Sequence, residues 1–156
     1  MVVEKPKPKV NIKFIFRMCN DITAMRHFYT ELLGMQEQAF LNQKEFGYIS
    51  YFCRDGLCLM FFYSGKEAPK HTEWAWQPGY EGGSLHITSL AIEIPETDFP
   101  NTVERLKKEG VKIFSEVPDW RQDSYWGFTV MDPQGNTLEL FTMPKEKPLS
   151  TIRLEK

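Results

Sequence analysis

Aromatic side chains carry the first chemical signal of this sequence. Aromatic faces bind flat or cationic ligands well, and tryptophan and tyrosine are also enriched at subunit interfaces. Arg121 lies among these residues and has two candidate partners, a ligand carboxylate or the nearby Asp119. The pattern predicts either a ligand-binding surface or a dimer interface, and both remain open. The residues are Trp74, Trp76, Trp120, Tyr125 and Trp126.

Cysteine and histidine form no recognisable metal or disulfide motif. The three cysteines are an odd number without CxxC spacing, which argues against a disulfide framework or a structural zinc site. The three histidines show no HxH, HxxxH or HExxH spacing. We therefore expect free thiols in a reducing compartment and histidines that are packed or solvated. These residues are Cys19, Cys53, Cys58, His27, His71 and His86.

The composition is that of a soluble chain of 156 residues, with 42% apolar residues and a formal net charge of -2. A weakly acidic chain is a poor candidate for nucleic-acid binding, which usually needs a basic face. No apolar run approaches membrane-spanning length. Residues 1–10 are rich in lysine and proline and do not resemble a signal peptide. We expect a cytoplasmic protein with an extended arm over residues 1–10.

The first half of the chain predicts the order β-α-β-β-β. Alternating apolar residues after Asn11 indicate a half-buried strand. Asn20 or Asp21 is a typical helix N-cap, and Gly34 is a typical helix end. The predicted helix covers residues 22–33, and further strands are predicted at 36–40, 47–53 and 57–63.

The second half repeats this order. Superposing the halves aligns Phe14 with Ser89 and Met60 with Glu139. Strands are predicted at 89–94, 111–114, 125–131 and 137–141, with a helix at 97–109. The predicted organisation is module one (11–63), a linker (64–85), module two (86–144) and a charged tail (145–156).

The linker is unusually aromatic for a flexible connection. It contains Trp74, Trp76 and Tyr80, whereas plain linkers are rich in glycine, serine or proline. We therefore expect it to pack on the pocket, on the other module or on a partner subunit.

Two segments resemble the vicinal oxygen chelate superfamily, which includes glyoxalases, extradiol dioxygenases and bleomycin-resistance proteins. They are DITAMRHFYTELLG (21–34) and FTVMDPQGNTLELF (128–141). The resemblance implies an α+β fold in which two tandem βαβββ modules form a curled mixed sheet, an open cup with helices outside. The concave faces are expected to form one small-molecule pocket. Catalytic members hold a divalent metal there, with ligands from the first strands and the last strands.

The four positions that correspond to such ligands are Phe14, Met60, Ser89 and Glu139. Only Glu139 is an ordinary ligand, because phenylalanine cannot coordinate and a thioether is too soft for hard divalent ions. A divalent ion generally needs three or more suitable protein ligands. We therefore predict that the usual metal site is absent. Glu139 is then a polar anchor, hydrogen-bonded to Ser89 or Tyr125, or a catalytic general base.

The leading hypothesis is a small-molecule-binding protein without a metal cofactor, which holds an aromatic or amphipathic ligand in the cup. The ligand-binding candidates are Phe14, Met60, Ser89, Arg121 and the aromatic residues named above. The first alternative is a lyase, isomerase or dioxygenase-like enzyme that uses Glu139, with or without a divalent metal ion. The second is a protein-interaction module. Fold analogy favours a homodimer, with the modules paired within one chain or swapped between two.

Overall fold

The computed structural model describes residues 9–77 and 82–150, apart from the side chain of Asp55. Most of the predicted arm, Tyr80 of the linker and residues 151–156 of the predicted tail lie outside the described residues. Across the described ranges, no helix is both long and apolar enough to cross a membrane.

The first module forms a four-stranded mixed sheet with one helix. Asp21 caps the helix, because its Oδ1 accepts a hydrogen bond from the backbone nitrogen of Ala24 at 2.9 Å. The helix continues as a π-helix over His27–Leu32, and Gly34 follows its end with φ 74°. The elements are β1 (Phe14–Met18), α1 (Ile22–Arg26), a π-helical segment (His27–Leu32), β2 (Glu37–Asn42), β3 (Gly47–Phe52), a 3₁₀ turn (Arg54–Gly56) and β4 (Cys58–Tyr63). Their order in the sheet is β1-β4-β3-β2, with β1 parallel to β4.

The second module repeats this plan with one extra strand. Its elements are β5 (Ser89–Glu93), α2 (Phe99–Lys108), β6 (Lys112–Ile113), β7 (Asp119–Arg121), β8 (Tyr125–Met131) and β9 (Thr137–Thr142). The sheet order is β5-β9-β8-β6, and β7 also pairs with β8. The sequence did not predict β7, and it predicted a longer β6.

The two β-ladders have the same register, which supports the predicted superposition of the halves. Phe16 pairs with Met60 in module one, and Ala91 pairs with Glu139 in module two. Each first strand is parallel to the last strand of its own module. The predicted α+β fold of mixed sheets with few helices is therefore confirmed.

The helices and one face of each sheet share a single apolar core. Buried residues of α1 and α2 pack with alternate residues of both sheets, including Tyr51 and Phe61 from module one and Phe128 and Leu140 from module two. Because strand side chains alternate, the residues between these point to the other side of each sheet. We call that side the cup face. Phe14 and Glu139 both lie on the cup faces of their sheets.

Candidate functional site

The cup face of module one is apolar and open. Phe14 is 50% exposed and Phe16 is 62% exposed, and their rings stack with centroids 5.8 Å apart. Met60 lies beside Phe16 across the parallel ladder. Aromatic faces that remain this exposed on a sheet are typical of a ligand or partner surface.

A cleft of about 570 Å³ opens between the two modules. Its walls are mainly apolar, with Ile15 and Leu59 on one side and Leu90 and Ile92 on the other. Phe52, which is 48% exposed, also lines it. Because Phe52 pairs with Cys58 in the same alternation as Met60, it lies on the cup face of module one. The cleft has the size of a small-molecule site, but its walls Ile15, Leu59, Leu90 and Ile92 lie on the core side of the sheets. Of the cup face of module one it touches Phe52, and its lining does not include the predicted ligand residues Phe14, Met60 and Ser89.

The cup face of module two is polar and closed. Glu139 is 7% exposed and Arg121 is 2% exposed. The Arg121 Nη1 lies 3.1 Å from the Glu139 Oε1, and the Tyr125 hydroxyl donates to the same oxygen at 2.7 Å. Burial and the neighbouring carboxylate raise the pKa of Tyr125 to about 12. The guanidinium and the phenol thus neutralise and satisfy the carboxylate that the sequence singled out.

The unpredicted strand β7 holds Arg121 in this position. It pairs Arg121 with Tyr125 and Asp119 with Gly127 on β8. A Cβ atom at Gly127 would lie 2.7 Å from the Arg121 Cδ, so the glycine leaves the space that the arginine stem occupies. The Arg121 Nη1 also donates to the Thr129 Oγ1 at 3.1 Å. The sequence left Asp119 and a ligand as candidate partners, whereas the structure adds Glu139 and places Asp119 at 3.6 Å.

The linker covers this polar site. The backbone nitrogen of Ala75 donates to the Thr137 Oγ1 at 2.9 Å, and the Thr129 hydroxyl donates to the Gln77 Oε1 at 2.8 Å. Ala75 and Gln77 are completely buried. The aromatic linker therefore packs on module two, and Gln77 is a site residue that sequence reasoning missed.

The structure separates the predicted aromatic residues. Trp120 and Trp126 pair across β7 and β8 with ring centroids 5.3 Å apart, and Trp126 packs against the common core. Strand alternation puts both on the face opposite Tyr125, so they do not line the cup. In the linker, Trp74 contacts Phe114 edge-on at 5.7 Å and Trp76 is 48% exposed.

The residues present do not fit a divalent metal ion. Ser89 lies beside Thr137, and the Glu139 carboxylate contacts Arg121 and Tyr125. Within residues 9–77 and 82–150, no group of three histidine, cysteine or acidic side chains is arranged to hold a metal. A buried guanidinium also repels a cation at this point. The three cysteines are free thiols, as expected.

A second buried cluster joins the two modules. The Tyr29 hydroxyl donates to the Asp132 Oδ2 at 2.7 Å. The backbone nitrogens of Gln134 and Asn136 both donate to the Asp132 Oδ1 at 2.9 Å. The two sequence segments that suggested the superfamily thus meet through Tyr29 and Asp132.

Residues 11–140 match the model of the Glyoxalase/Bleomycin resistance protein/Dioxygenase superfamily. The chain belongs to this superfamily. No functionally curated protein matches the sequence.

Several solved structures share the fold of this superfamily member at low sequence identity. A glyoxalase/dioxygenase from Nostoc punctiforme is 20% identical with a TM-score of 0.63, covering 86% of this chain and 92% of that one. The fosfomycin resistance protein FosX from Listeria monocytogenes, solved with Mn(II) and sulfate, is 14% identical with a TM-score of 0.61, covering 92% and 100%. A lactoylglutathione lyase from Agrobacterium tumefaciens is 14% identical with a TM-score of 0.54, covering 87% and 96%.

Proposed function

We propose that the protein is a small-molecule-binding member of the superfamily that works without a divalent metal. The observation that carries this proposal is the ion pair of Arg121 and Glu139, with 3.1 Å between Nη1 and Oε1. The one metal-ligand type of side chain among the four expected positions is already neutralised by a buried cation.

The ligand is an aromatic or amphipathic molecule. Support comes from two features that meet at Phe52: the apolar cleft between the modules, and the cup face of module one, where Phe14, Phe16 and Phe52 are each about half exposed or more. Such a surface binds a flat apolar molecule through burial and ring stacking. A second copy of the chain covers the rest of this face in a homodimer, because a monomer would leave several large aromatic side chains in water.

Metal analysis and ligand titration test the two parts of this proposal. Protein purified without chelators should contain far less than one Mn, Fe, Ni or Zn ion per chain by mass spectrometry. Planar aromatic compounds should bind with saturation in calorimetric titration. One tightly bound divalent ion per chain would overturn the metal-free part, and indifference to a broad panel would favour a protein-interaction module instead.

A pair of variants locates the ligand. Phe52→Ser should weaken binding about tenfold, because an aromatic contact of about 1.5 kcal/mol is lost from the cleft. The matched control is Phe46→Ser, since Phe46 is 39% exposed but lies outside the cleft. Equal effects of the two substitutions on affinity would contradict this placement.

An enzyme of the lyase, isomerase or dioxygenase type is the second candidate, favoured by the contact of Tyr125 with Glu139 at 2.7 Å. Glu139 would be its catalytic base. The contacts of Glu139 work against this role, because its Oε1 already accepts hydrogen bonds from Arg121 and Tyr125. Turnover by the native protein that Glu139→Gln abolishes, with folding unchanged, would favour this candidate over simple binding.

A further inference from the structure

Arg17 brings a positive charge to the junction of the two modules. Its guanidinium donates to two neutral oxygens of module two, from Nη2 to the Thr88 Oγ1 at 2.7 Å and from Nη1 to the Asn136 Oδ1 at 3.3 Å. A guanidinium has five N–H donors in a planar fork. Over residues 9–77 and 82–150, neither a carboxylate nor a further acceptor meets this fork. Arg17 therefore keeps both its charge and several donors for another group.

Asn136 holds the guanidinium apart from the buried carboxylate of Asp132. Its Oδ1 accepts from Arg17, whereas its Nδ2 donates to the Asp132 Oδ2 at 2.8 Å. The same carboxylate also accepts from the Tyr29 hydroxyl and from the backbone nitrogens of Gln134 and Asn136. Arg17 thus reaches Asp132 through a neutral amide and forms no ion pair with it.

A pocket of about 500 Å³ opens beside Arg17. Hydrogen bonds tie its walls together, because the Asn20 Oδ1 accepts from the backbone nitrogen of Ala68 at 2.6 Å and the Gln134 Nε2 donates to the Pro69 carbonyl oxygen at 3.3 Å. Among the described residues, no aspartate or glutamate lines the pocket. A fixed pocket with a cation and no acidic side chain attracts an anionic group. Its other polar lining residues are His71, Thr88 and Asn136.

The pocket adjoins the apolar cleft between the modules. Ile15 lines both of them. Ile15 and Arg17 are two residues apart on β1, so strand alternation puts both side chains on the side away from the cup face, with their Cα atoms about 6–7 Å apart. A planar molecule whose rings contact Ile15 can therefore place a charged substituent at Arg17.

We propose that Arg17 binds the carboxylate of the ligand, so that the ligand class is a planar aromatic acid. The inference deepens the proposed function and rests on it. A carboxylate presents two oxygens to the guanidinium fork and balances its single charge. Arg54 is a cation of the cleft itself, but it is exposed and shares the cleft with the Glu93 carboxylate.

Calorimetric titration with aromatic acids and their neutral amides tests the proposal. The probes are benzoate with benzamide and 2-naphthoate with 2-naphthamide. The native protein should bind each acid about tenfold more tightly than its amide, because only the acid makes charge-assisted hydrogen bonds to Arg17. Added NaCl should reduce this preference, since salt screens a partly exposed charge. Arg17→Met should bring the two affinities within about twofold and leave that of the amide unchanged.

Arg105→Met is the matched control for the loss of an arginine that joins the modules. The Arg105 Nε donates to the Leu32 carbonyl oxygen at 2.9 Å, and Arg105 lines neither the pocket nor the cleft. Its substitution should lower the thermal unfolding midpoint as Arg17→Met does, yet keep the preference for acids. If Arg17→Met does not fold, Arg17→Lys decides, because it keeps the charge, loses the fork and should reduce the preference about threefold.

The outcomes separate the inference from the function on which it rests. Equal binding of acid and amide by the native protein would overturn the inference and leave the aromatic ligand in place. A preference that survives Arg17→Met, or that Arg54→Met removes instead, would overturn it as well. Failure of all four compounds to bind would count against the proposed function itself, and the inference would fall with it.

Discussion

The hydrogen bond between Tyr29 and Asp132 should make the stability of the fold depend on one hydroxyl group. Tyr29 is fully buried and donates to the Asp132 Oδ2 at 2.7 Å. Tyr29→Phe removes that donor and keeps the ring, which packs 4.5 Å from the ring of Phe61. The substitution therefore isolates the polar contact between the modules from the packing of the core.

The expected loss of unfolding free energy is about 2 kcal/mol at neutral pH, because hydrogen bonds to charged groups contribute about 1.5–3 kcal/mol. For a chain of this size the midpoint of thermal unfolding should fall by about 4–8 °C. Asp132 still accepts hydrogen bonds from Gln134 and Asn136 in this variant, so the carboxylate loses one of its donors and is not left without any.

The cost of Tyr29→Phe should also depend on pH. Burial raises the pKa of Asp132 above its ordinary value of 3.8, although hydrogen bonds from Asn136 and Tyr29 oppose the shift. An acid whose pKa is raised on folding favours folding most below its ordinary pKa, and this contribution is lost as pH rises through the folded pKa. In Tyr29→Phe the charged form of Asp132 loses one hydrogen bond and becomes less favourable still. The cost should therefore be greatest at neutral pH and fall to about 1 kcal/mol once Asp132 is protonated, the value of a neutral hydrogen bond.

Urea unfolding of both proteins, at neutral pH and near the ordinary aspartate pKa, measures this difference. Tyr51→Phe is the control, since Tyr51 is also fully buried but its hydroxyl meets the neutral Thr30 hydroxyl at 2.9 Å. It should cost about 1 kcal/mol at neutral pH and change less at acid pH than Tyr29→Phe, because its hydroxyl meets the Glu37 carboxylate only through the Thr30 hydroxyl. A cost below about 0.5 kcal/mol for Tyr29→Phe, or the same pH profile for both variants, would refute the reasoning.

Two further predictions follow from close packing and from burial. Gly127→Ala should displace Arg121 and lower the unfolding midpoint measured by calorimetry, because the added Cβ atom would lie 2.7 Å from the Arg121 Cδ; an unchanged midpoint would contradict the role given to the glycine. Cys19 is 1% exposed and burial raises its pKa to about 11, so iodoacetamide at mildly alkaline pH should modify the half-buried Cys53 first, and mass spectrometry of the folded protein should find Cys19 intact.

Local signals were sufficient to predict most of the fold. The Asp21 cap, the glycines at positive φ and the strand alternation each act within a few residues, so the order of elements could be read in both halves. The internal repeat then aligned Met60 with Glu139, and the identical register of the two ladders supports that alignment. The π-helical segment His27–Leu32 escaped prediction, because its apolar spacing is that of an ordinary helix.

The β7–β8 hairpin brings Arg121 to Glu139, and its turn lacks the residues from which a hairpin is usually predicted. Gln122 and Asp123 both adopt positive φ, at 54° and 48°, where glycine or asparagine would normally mark the turn. Strand β7 was therefore not predicted, and neither was the approach of Arg121 to Glu139. Trp120 and Trp126 were predicted to bind a ligand or to form a dimer interface, and the β7–β8 pairing puts them on the face opposite Arg121 and Tyr125.

The two cup faces show how one repeated backbone plan can carry different chemistry. Module one presents an exposed row of Phe14, Phe16 and Met18, whereas the equivalent strand of module two presents the smaller Ser89 and Ala91. Ala91 pairs with Glu139 on β9, and Arg121 reaches Glu139 from the other side, over Gly127 of β8. Glu139 meets the positive charge of Arg121 and the hydroxyl of Tyr125, because a buried carboxylate is unfavourable without an opposite charge and hydrogen bonds.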